Sequence, residues 1–169
     1  MRIYPKEAKI LKMSYLSINP YTEKVIYERP FMVGNKIESC IEETDNNRSS
    51  WRKKTYSERG GYISDLATKI RQEKNKLAYL ISVEMGKPFL QSLAEVEKSA
   101  SVCDYYAEHT ISLLNTLSRK SVVYQSLGTI LGIMPWNFPL WQVIRFAIPQ
   151  LMMGNTIVIK HAPNVSQCA

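Results

Sequence analysis

The chain has 169 residues, of which 45% are hydrophobic and 22% are charged, and its formal net charge is +7. This composition is typical of a folded globular protein and argues against an intrinsically disordered chain. Three widely spaced cysteines without a Cys-x-x-Cys pair predict neither a disulfide framework nor a zinc site. With no apolar segment or cleavage site of a signal peptide among the first residues, we expect a reducing, cytoplasmic environment.

Much of the positive charge lies in residues 48–76, which contain nine Lys or Arg and three acidic residues. Such a surface could bind nucleic acid or an anionic membrane, but no nucleic-acid-binding motif accompanies it, so a solvated helix face is the simpler interpretation. The apolar residues 127–159 are interrupted by Arg145 and three prolines and contain no clean run of about 18 apolar residues. We therefore expect no membrane span and no nucleic-acid partner.

The first elements are short. Residues 17–30 combine Asn-Pro turn chemistry with an alternating segment around Val25 and predict a small strand pair. Residues 33–51 have a helical pattern that loses its apolar stripe after Glu43, so the helix is predicted to end there.

A long helix is predicted next, because apolar residues recur on one face at helical spacing from Ile63 to Ile81. Thr55 and Glu58 have the spacing of a capping box at its start. Two adjacent glycines, at 60 and 61, would then lie in its early turns, where each costs on the order of 1 kcal/mol relative to alanine. Gly86 and Pro88 supply stop signals.

A further helix is predicted to begin at a second capping-box spacing, Ser92 with Glu95, and to end near Leu114. Residues 119–127 alternate and are basic at their start, which suits an exposed edge strand that could mediate oligomerisation.

The last part of the sequence predicts a strand–helix–strand unit. Residues 129–134 read as a strand buried on both faces, residues 138–153 as a helix broken or kinked at Pro149, and residues 156–160 as a second buried strand. Gly154 suits the helix exit, and Pro163 suits the first position of a following helix. Elements of this length form one parallel βαβ crossover.

A cluster with polar residues follows each predicted strand: Pro135, Trp136 and Asn137 after the first, and Lys160, His161, Ala162 and Pro163 after the second. Ligands of open α/β sheets bind beyond the carboxyl ends of the strands, and adjacent parallel strands would bring these residues together. An amide can donate to an oxyanion, and a lysine can donate to ribose or phosphate. From the residues alone, an asparagine capping a helix and a solvated lysine remain the commoner interpretations, and neither GxGxxG nor GxxxxGK[ST] is present.

The run GTILGIMPWNFPLWQVIRFAIPQLMMGNTIVIKHAPN, residues 128–164, resembles the signature of the aldehyde dehydrogenase superfamily. Earlier segments agree: SINPYTEKVI, WRKKTYSER, EMGKP and AEVEKSASVCDYYAEH. Together they most resemble the NAD(P)-dependent succinate-semialdehyde dehydrogenase branch, from about Ser14 to the last residue.

The resemblance implies an α/β fold, namely an incomplete Rossmann-like cofactor domain in which long helices precede a parallel βαβ unit. Residues 14–169 would form the amino-terminal part of the cofactor-binding domain, with the catalytic domain absent. Residues 1–13 would be a disordered extension, without packing of Ile3 and Ile10 into a core.

The resemblance also implies roles for individual residues. Asn137 corresponds to the asparagine whose amide stabilises the oxyanion of a thiohemiacetal, and Lys160 to the lysine that binds the adenosine ribose. The other cofactor-contacting positions would be Ile133, Met134, Pro135, Trp136, His161, Ala162 and Pro163. No metal is implied. The cofactor would be NAD or NADP, and the choice stays open because the acid that many NAD-preferring relatives carry near Pro163 is missing.

The family's nucleophilic cysteine, activating glutamate and glycine-rich turn are expected beyond residue 169. Cys40, Cys103 and Cys168 do not match the nucleophile, and Cys168 falls in what should be the first turn of a helix. Without a thiolate, an oxyanion donor has nothing to stabilise, and half a crevice is expected to bind cofactor poorly.

Three hypotheses follow. The chain is an inactive amino-terminal portion of a semialdehyde dehydrogenase, as a truncated gene or pseudogene would encode. Alternatively, it belongs to a split enzyme completed by a complementary catalytic fragment, or pairs with itself or with full-length relatives as an interaction module. The third is an unrelated small binding protein that reuses the βαβ unit.

Overall fold

The structure, a computed structural model, describes residues 14–117 and 121–168. Its elements in chain order are β1 (Ser14–Ile18), β2 (Val25–Pro30), α1 (Gly34–Lys53), α2 (Tyr56–Gln72), α3 (Lys74–Met85), α4 (Phe89–Leu117), β3 (Thr129–Ile133), α5 (Pro139–Met152), β4 (Thr156–Lys160) and a 3-10 turn at Pro163–Val165. The extension predicted for residues 1–13, including Ile3 and Ile10, lies outside the described residues.

The predicted strand pair is confirmed: β1 and β2 are antiparallel. The Asn19 side chain supports the turn between them, because its Oδ1 accepts the backbone N–H groups of Tyr21 and Thr22 at 2.9 and 3.1 Å. This is the local hydrogen bonding that makes asparagine a frequent turn residue.

Helix α1 does not end near Glu43, as its lost apolar stripe predicted, but continues to Lys53. Contacts with the later part of the chain hold this second half. Asp45 Oδ1 accepts the Thr129 hydroxyl at 3.0 Å, and the Trp51 indole donates to the Leu151 carbonyl at 3.0 Å. Tertiary hydrogen bonds therefore replace the apolar face on which the prediction relied.

The single long helix predicted from Thr55 to the Gly86 stop is two helices, α2 and α3, separated by a turn at Glu73. Neither glycine nor proline marks this turn, and the apolar spacing continues across it. Both ends are as predicted. Thr55 and Glu58 form the capping box, and Gly86 ends α3 in the left-handed region at φ 78°.

The two adjacent glycines of α2 lie in different surroundings. A Cβ at Gly60 would stand 3.1 Å from the Ala107 carbonyl oxygen of α4, whereas a Cβ at Gly61 would meet nothing within 4 Å. Gly60 thus permits close packing of α2 on α4, and Gly61 is exposed.

We expect Gly61→Ala to stabilise the chain by about 0.5–1 kcal/mol, because alanine loses less conformational entropy in a helix. Gly60→Ala is the matched control. It should destabilise, since the backbone of α4 must move away from the new methyl group. Urea unfolding of both variants checks this, and equal stabilisation by both would contradict the close approach.

Helix α4 begins at Phe89, one turn before the predicted Ser92, and ends at Leu117, beyond the predicted Leu114. The capping box predicted for Ser92 and Glu95 is wrong. The Ser92 hydroxyl lies 3.0 Å from that of Ser82 and 3.3 Å from the Pro88 carbonyl, and Glu95 is turned toward α5. Both residues are buried inside the helix bundle rather than placed at a helix end.

The core lies where α2, α3 and α5 pack on α4. Its buried members come from all four helices and from the end of the described chain: Ile63, Ala67, Ile70, Ala78, Ile81, Val96, Ala100, Cys103, Ile144, Ile148, Met152 and Cys168.

The predicted βαβ unit is confirmed, with β3 and β4 in parallel register from Thr129 opposite Thr156 to Ile133 opposite Lys160. Pro149 lies inside α5, and Gly154 follows the helix at φ 83°. Pro163 opens a 3-10 turn rather than an α-helix.

The prediction that these strands are buried on both faces is wrong for β3. Leu131 is 59% exposed and Ile133 is 70% exposed, because the described residues cover that face incompletely.

The structure assigns no strand to residues 121–127, and residues 119 and 120 lie outside the described ranges. An extended segment needs a neighbouring strand before it can form a ladder, and the described part of this chain supplies none here. An oligomerisation edge strand would draw its partner from another chain and stays a prediction.

Basic residues of the segment 48–76 form ion pairs with acidic residues on the helix surface. Arg71 donates to Glu97 and Asp104 at 2.9 and 2.6 Å, and Lys74 donates to Glu97 at 2.8 Å. Within residues 14–117 and 121–168, no helix combines the length and the hydropathy that a membrane crossing requires.

Candidate functional site

The two predicted polar clusters lie side by side. Ile133 at the end of β3 is opposite Lys160 at the end of β4, and the Met134 N–H donates to the Lys160 carbonyl at 3.0 Å. The loop carrying Trp136 and Asn137 therefore leaves the sheet directly beside the loop carrying His161. This juxtaposition was expected from the carboxyl ends of parallel strands.

Most of the predicted contact residues are accessible at this edge. Asn137 is exposed, and its side chain makes no hydrogen bond with any described residue, so its amide is available to a ligand. Trp136 is 52% exposed, and Lys160 is exposed and forms no ion pair within the described ranges. Ile133, Pro135 and Pro163 are exposed as well.

Two predicted contact residues differ from the rest. Met134 and Ala162 are each 8% exposed, because their side chains turn into the protein. Contact of either residue with a ligand would therefore involve mainly the backbone.

His161 joins the two loops. Its Nδ1 accepts the Ala162 N–H at 2.8 Å, so the proton of the neutral ring lies on Nε2, which donates to the Pro139 carbonyl at 2.8 Å. Sequence reasoning placed His161 in a loop, where it lies, but did not foresee that it links the end of β4 to the start of α5.

A buried carboxylate caps the start of α5. Glu95 on α4 is 3% exposed, and its Oε1 accepts the backbone N–H groups of Leu140 and Trp141, both at 3.1 Å. These groups belong to the first turn, where no intrahelical acceptor exists, and Phe138 provides no side-chain cap. A negative charge is favourable at this end of the helix dipole.

Lys87 completes this arrangement. It is 7% exposed, its ammonium forms an ion pair with Glu95 Oε2, and it lies 3.7 Å from the centre of the Phe138 ring. A cation over an aromatic face is attracted by the ring quadrupole. Lys87 thus contacts the residue that directly follows Asn137.

Glu84 plays a similar part for the segment after β4. It is 2% exposed, and its two oxygens accept the backbone N–H groups of Gln167 and Cys168 at 3.0 and 2.8 Å. Sequence reasoning missed Glu84, Lys87 and Glu95 as functional candidates. For Glu84 and Glu95 the available signal was a charged residue within a buried helical stripe, which normally requires a partner. Lys87 lies between α3 and α4, where no such stripe marks it.

The buried thiols are poor nucleophiles. Burial raises the pKa of Cys103 to about 12, and burial together with the Glu84 carboxylate raises the pKa of Cys168. A raised pKa keeps a thiol protonated at neutral pH, whereas catalysis requires a thiolate. This agrees with the expectation that Cys168 is not the catalytic nucleophile.

We expect a thiol reagent to modify Cys40, which is partly exposed, well before Cys103 and Cys168 in the folded chain.

Because the folded pKa of Cys103 lies above its unfolded value of 9.0, its contribution to stability is present below pH 9 and is lost as pH rises toward 12. In Cys103→Ala the fall in unfolding free energy above pH 9 should be shallower by up to about 1.4 kcal/mol per pH unit. Cys40→Ala is the control, and equal slopes in both variants would contradict the burial effect.

The site can present one uncharged amide group and one ammonium group to a ligand at the sheet edge. The N-terminus of α5 is already occupied by Glu95, so a phosphate bound there would meet a carboxylate. Within the described ranges, no three His, Cys, Asp or Glu side chains are grouped as a metal site would need.

Comparison with known proteins identifies the family. The sequence profile described as "Aldehyde dehydrogenase family" matches residues 7–169. The match therefore begins seven residues before Ser14, the position at which the resemblance was expected to start.

Among curated proteins, a succinate semialdehyde dehydrogenase of Escherichia coli (strain K12), named for NAD(P)+, is 42% identical over 91% of this chain and 35% of its own length. An NADP+ succinate-semialdehyde dehydrogenase of Deinococcus radiodurans is 33% identical over 100% of this chain and 37% of its own length. Both relatives are thus matched over little more than a third of their sequence.

A solved structure of succinic semialdehyde dehydrogenase from Streptococcus pyogenes, in complex with NADP+, superposes with a TM-score of 0.83 at 31% identity. The alignment covers 92% of this chain and 36% of that one. On the profile match, this structural likeness and the arrangement of the two strand ends, the chain belongs to the aldehyde dehydrogenase family.

Proposed function

We propose that residues 14–169 supply the oxyanion-binding corner and part of the NAD(P)-binding edge of a succinate-semialdehyde dehydrogenase. The observation that carries the proposal is the pairing of Ile133 with Lys160, which places the exposed Asn137 loop beside an exposed lysine. The names of the relatives support the substrate class, since both are succinate-semialdehyde dehydrogenases.

In this proposal Asn137 donates its amide hydrogens to the oxygen of the aldehyde as negative charge develops on it. A neutral amide suits this task because it needs no protonation and can be aimed in advance. Lys160 donates to the hydroxyl groups of the cofactor ribose, and Ile133, Pro135 and Trp136 form the apolar surface next to it. The dinucleotide, when bound, supplies the hydride acceptor.

We propose that this chain does not oxidise aldehydes alone, because Cys103 and Cys168 are buried thiols with raised pKa values and none of the three cysteines matches the family's nucleophile. The nucleophile must come from a complementary segment of aldehyde dehydrogenase sequence. The exposed Leu131 and Ile133 side chains support the same view, because an apolar sheet face of this kind is normally covered. Because the fragment would form only part of the cofactor crevice, we expect it to bind NAD or NADP weakly when it is alone.

A chimera tests the proposal. Residues 14–169 would replace the matching segment of the Escherichia coli relative, and NADPH formation from succinate semialdehyde would be followed with time. Activity is expected, because the corner and the nucleophile then occupy one molecule. A folded chimera that binds NADP+ but shows no turnover would contradict the proposed role of this corner.

A split enzyme is the second candidate, favoured by the same uncovered β3 face. Here the complementary segment is a separate chain, and mixing the two chains should restore turnover. Association with full-length relatives without any gain in activity would instead identify an interaction module.

A further inference from the structure

We propose that Glu95, held by Lys87, is a positioning residue that sets the start of α5 and thereby aims the loop carrying Asn137. The catalytic meaning of this inference depends on the role proposed for Asn137. The positioning itself does not, and it can be measured on the chain without any activity assay.

Glu95 accepts the backbone donors of the first turn of α5. Pro139, at the first position of α5, has no N–H group, and the first bond within the helix runs from Gln142 to the Phe138 carbonyl at 3.0 Å. Leu140 and Trp141 lie between them, and both donate to the same oxygen of Glu95. The donors of this first turn are therefore held by one side chain of another helix.

The Glu95 side chain has little rotational freedom. Glu95 Oε1 is held by two backbone donors, and Oε2 is held by the Lys87 ammonium. A carboxylate engaged at both oxygens cannot rotate without breaking a hydrogen bond. Lys87 precedes Pro88, whose ring restricts the backbone conformation of the residue before it.

Lys87 also contacts the residue that follows Asn137. The Lys87 ammonium lies over the ring of Phe138, which occupies the N-cap position of α5 and follows Asn137 in sequence. The pair thus fixes residues 138, 140 and 141, immediately next to a loop whose amide is otherwise unrestrained by described residues. Geometry supported in this way suits a donor that must be aimed before its ligand arrives.

A purely stabilising role would not require charge at this place. Replacing a buried ion pair with apolar residues of similar volume is often neutral or stabilising, whereas the pair gives a defined geometry. The two roles therefore make different predictions for a double substitution.

The experiment measures amide hydrogen exchange by NMR on the whole chain, with Ile148 in α5 as the internal reference. In the unsubstituted chain, the amides of Leu140 and Trp141 should be protected despite their first-turn positions. In Glu95→Leu they should exchange roughly 10- to 100-fold faster relative to Ile148, as expected for loss of a hydrogen bond to a charged acceptor. The side-chain amide resonances of Asn137 should shift at the same time.

The double variant Lys87→Met/Glu95→Leu separates positioning from stability. It should recover most of the global stability lost in Glu95→Leu, while Leu140 and Trp141 stay unprotected and the Asn137 resonances stay shifted. Glu97→Gln is the matched control, because Glu97 lies on the same helix in an exposed ion pair with Arg71 and should leave all these signals unchanged.

The proposal would be overturned if the amides of Leu140 and Trp141 were as well protected in the double variant as in the unsubstituted chain. If Glu95→Leu does not fold, the unsubstituted chain still decides, since rapid exchange of these two amides would be incompatible with a Glu95 cap. If the Leu140 and Trp141 amides are protected as expected but the chimera is inactive, the result would contradict the proposed function and not this inference.

Discussion

Glu95→Leu is expected to lower the free energy of unfolding by about 3–5 kcal/mol. The substitution leaves the Lys87 side chain, which is only 7% exposed, without its carboxylate partner, and it removes the acceptor of two backbone N–H groups. A buried charge without a partner and orphaned backbone donors are both costly. Chemical denaturation measures the change.

Glu97→Gln is the control for this loss. Its carboxylate pairs with Arg71 and Lys74 at the surface, where solvent screens the charges, so we expect a change of no more than about 1 kcal/mol. Equal effects of the two substitutions would mean that Glu95 is not the partner on which Lys87 depends.

Asn137→Ala, in the chimera with the Escherichia coli relative, is expected to lower kcat by about 10²- to 10³-fold. The side chain is exposed and makes no hydrogen bond with the described part of the chain, so stability should change little. Loss of an oxyanion donor affects the chemical step more than substrate binding, so KM should stay close to its original value. Asn137→Asp should be as inactive, because a carboxylate cannot donate.

Asn115→Ala is the matched control for Asn137. It makes the same chemical change at an exposed position near the far end of α4, about 30 Å along the helix from Glu95 at 1.5 Å per residue. It should leave kcat unchanged. A loss of less than about tenfold in Asn137→Ala would contradict the oxyanion role.

The βαβ unit could be predicted from the sequence because its signals are local and agree with one another. Apolar runs rich in isoleucine mark the strands, Gly154 marks the helix exit, and the parallel direction of the strands then places the Asn137 loop beside Lys160. The capping box of α2 and the glycine stop of α3 were predictable for the same reason.

Two of the wrong predictions concern residues whose contacts are distant in sequence. The second half of α1 exists because Asp45 and Trp51 bond to residues some 80 to 100 positions later. Ser92 and Glu95 have capping-box spacing, but their partners lie on other elements of the bundle. A sequence window cannot distinguish these partners from local ones, because the side-chain chemistry is identical in both cases.

The exposure of Leu131 and Ile133 was not predicted for a similar reason, because it depends on which other segment of sequence packs on β3. A run of apolar residues predicts that a strand will be covered, but not which segment covers it. In the described structure that face of β3 remains open.

The most direct test of the account is the rate of NADPH formation by this chain alone with succinate semialdehyde and NADP+. Because Cys103 and Cys168 are buried thiols with raised pKa values and none of the three cysteines matches the family's nucleophile, no turnover above the buffer rate is expected at neutral pH. Turnover that saturates with aldehyde and disappears in Asn137→Ala would contradict the claim that this corner requires a nucleophile from elsewhere.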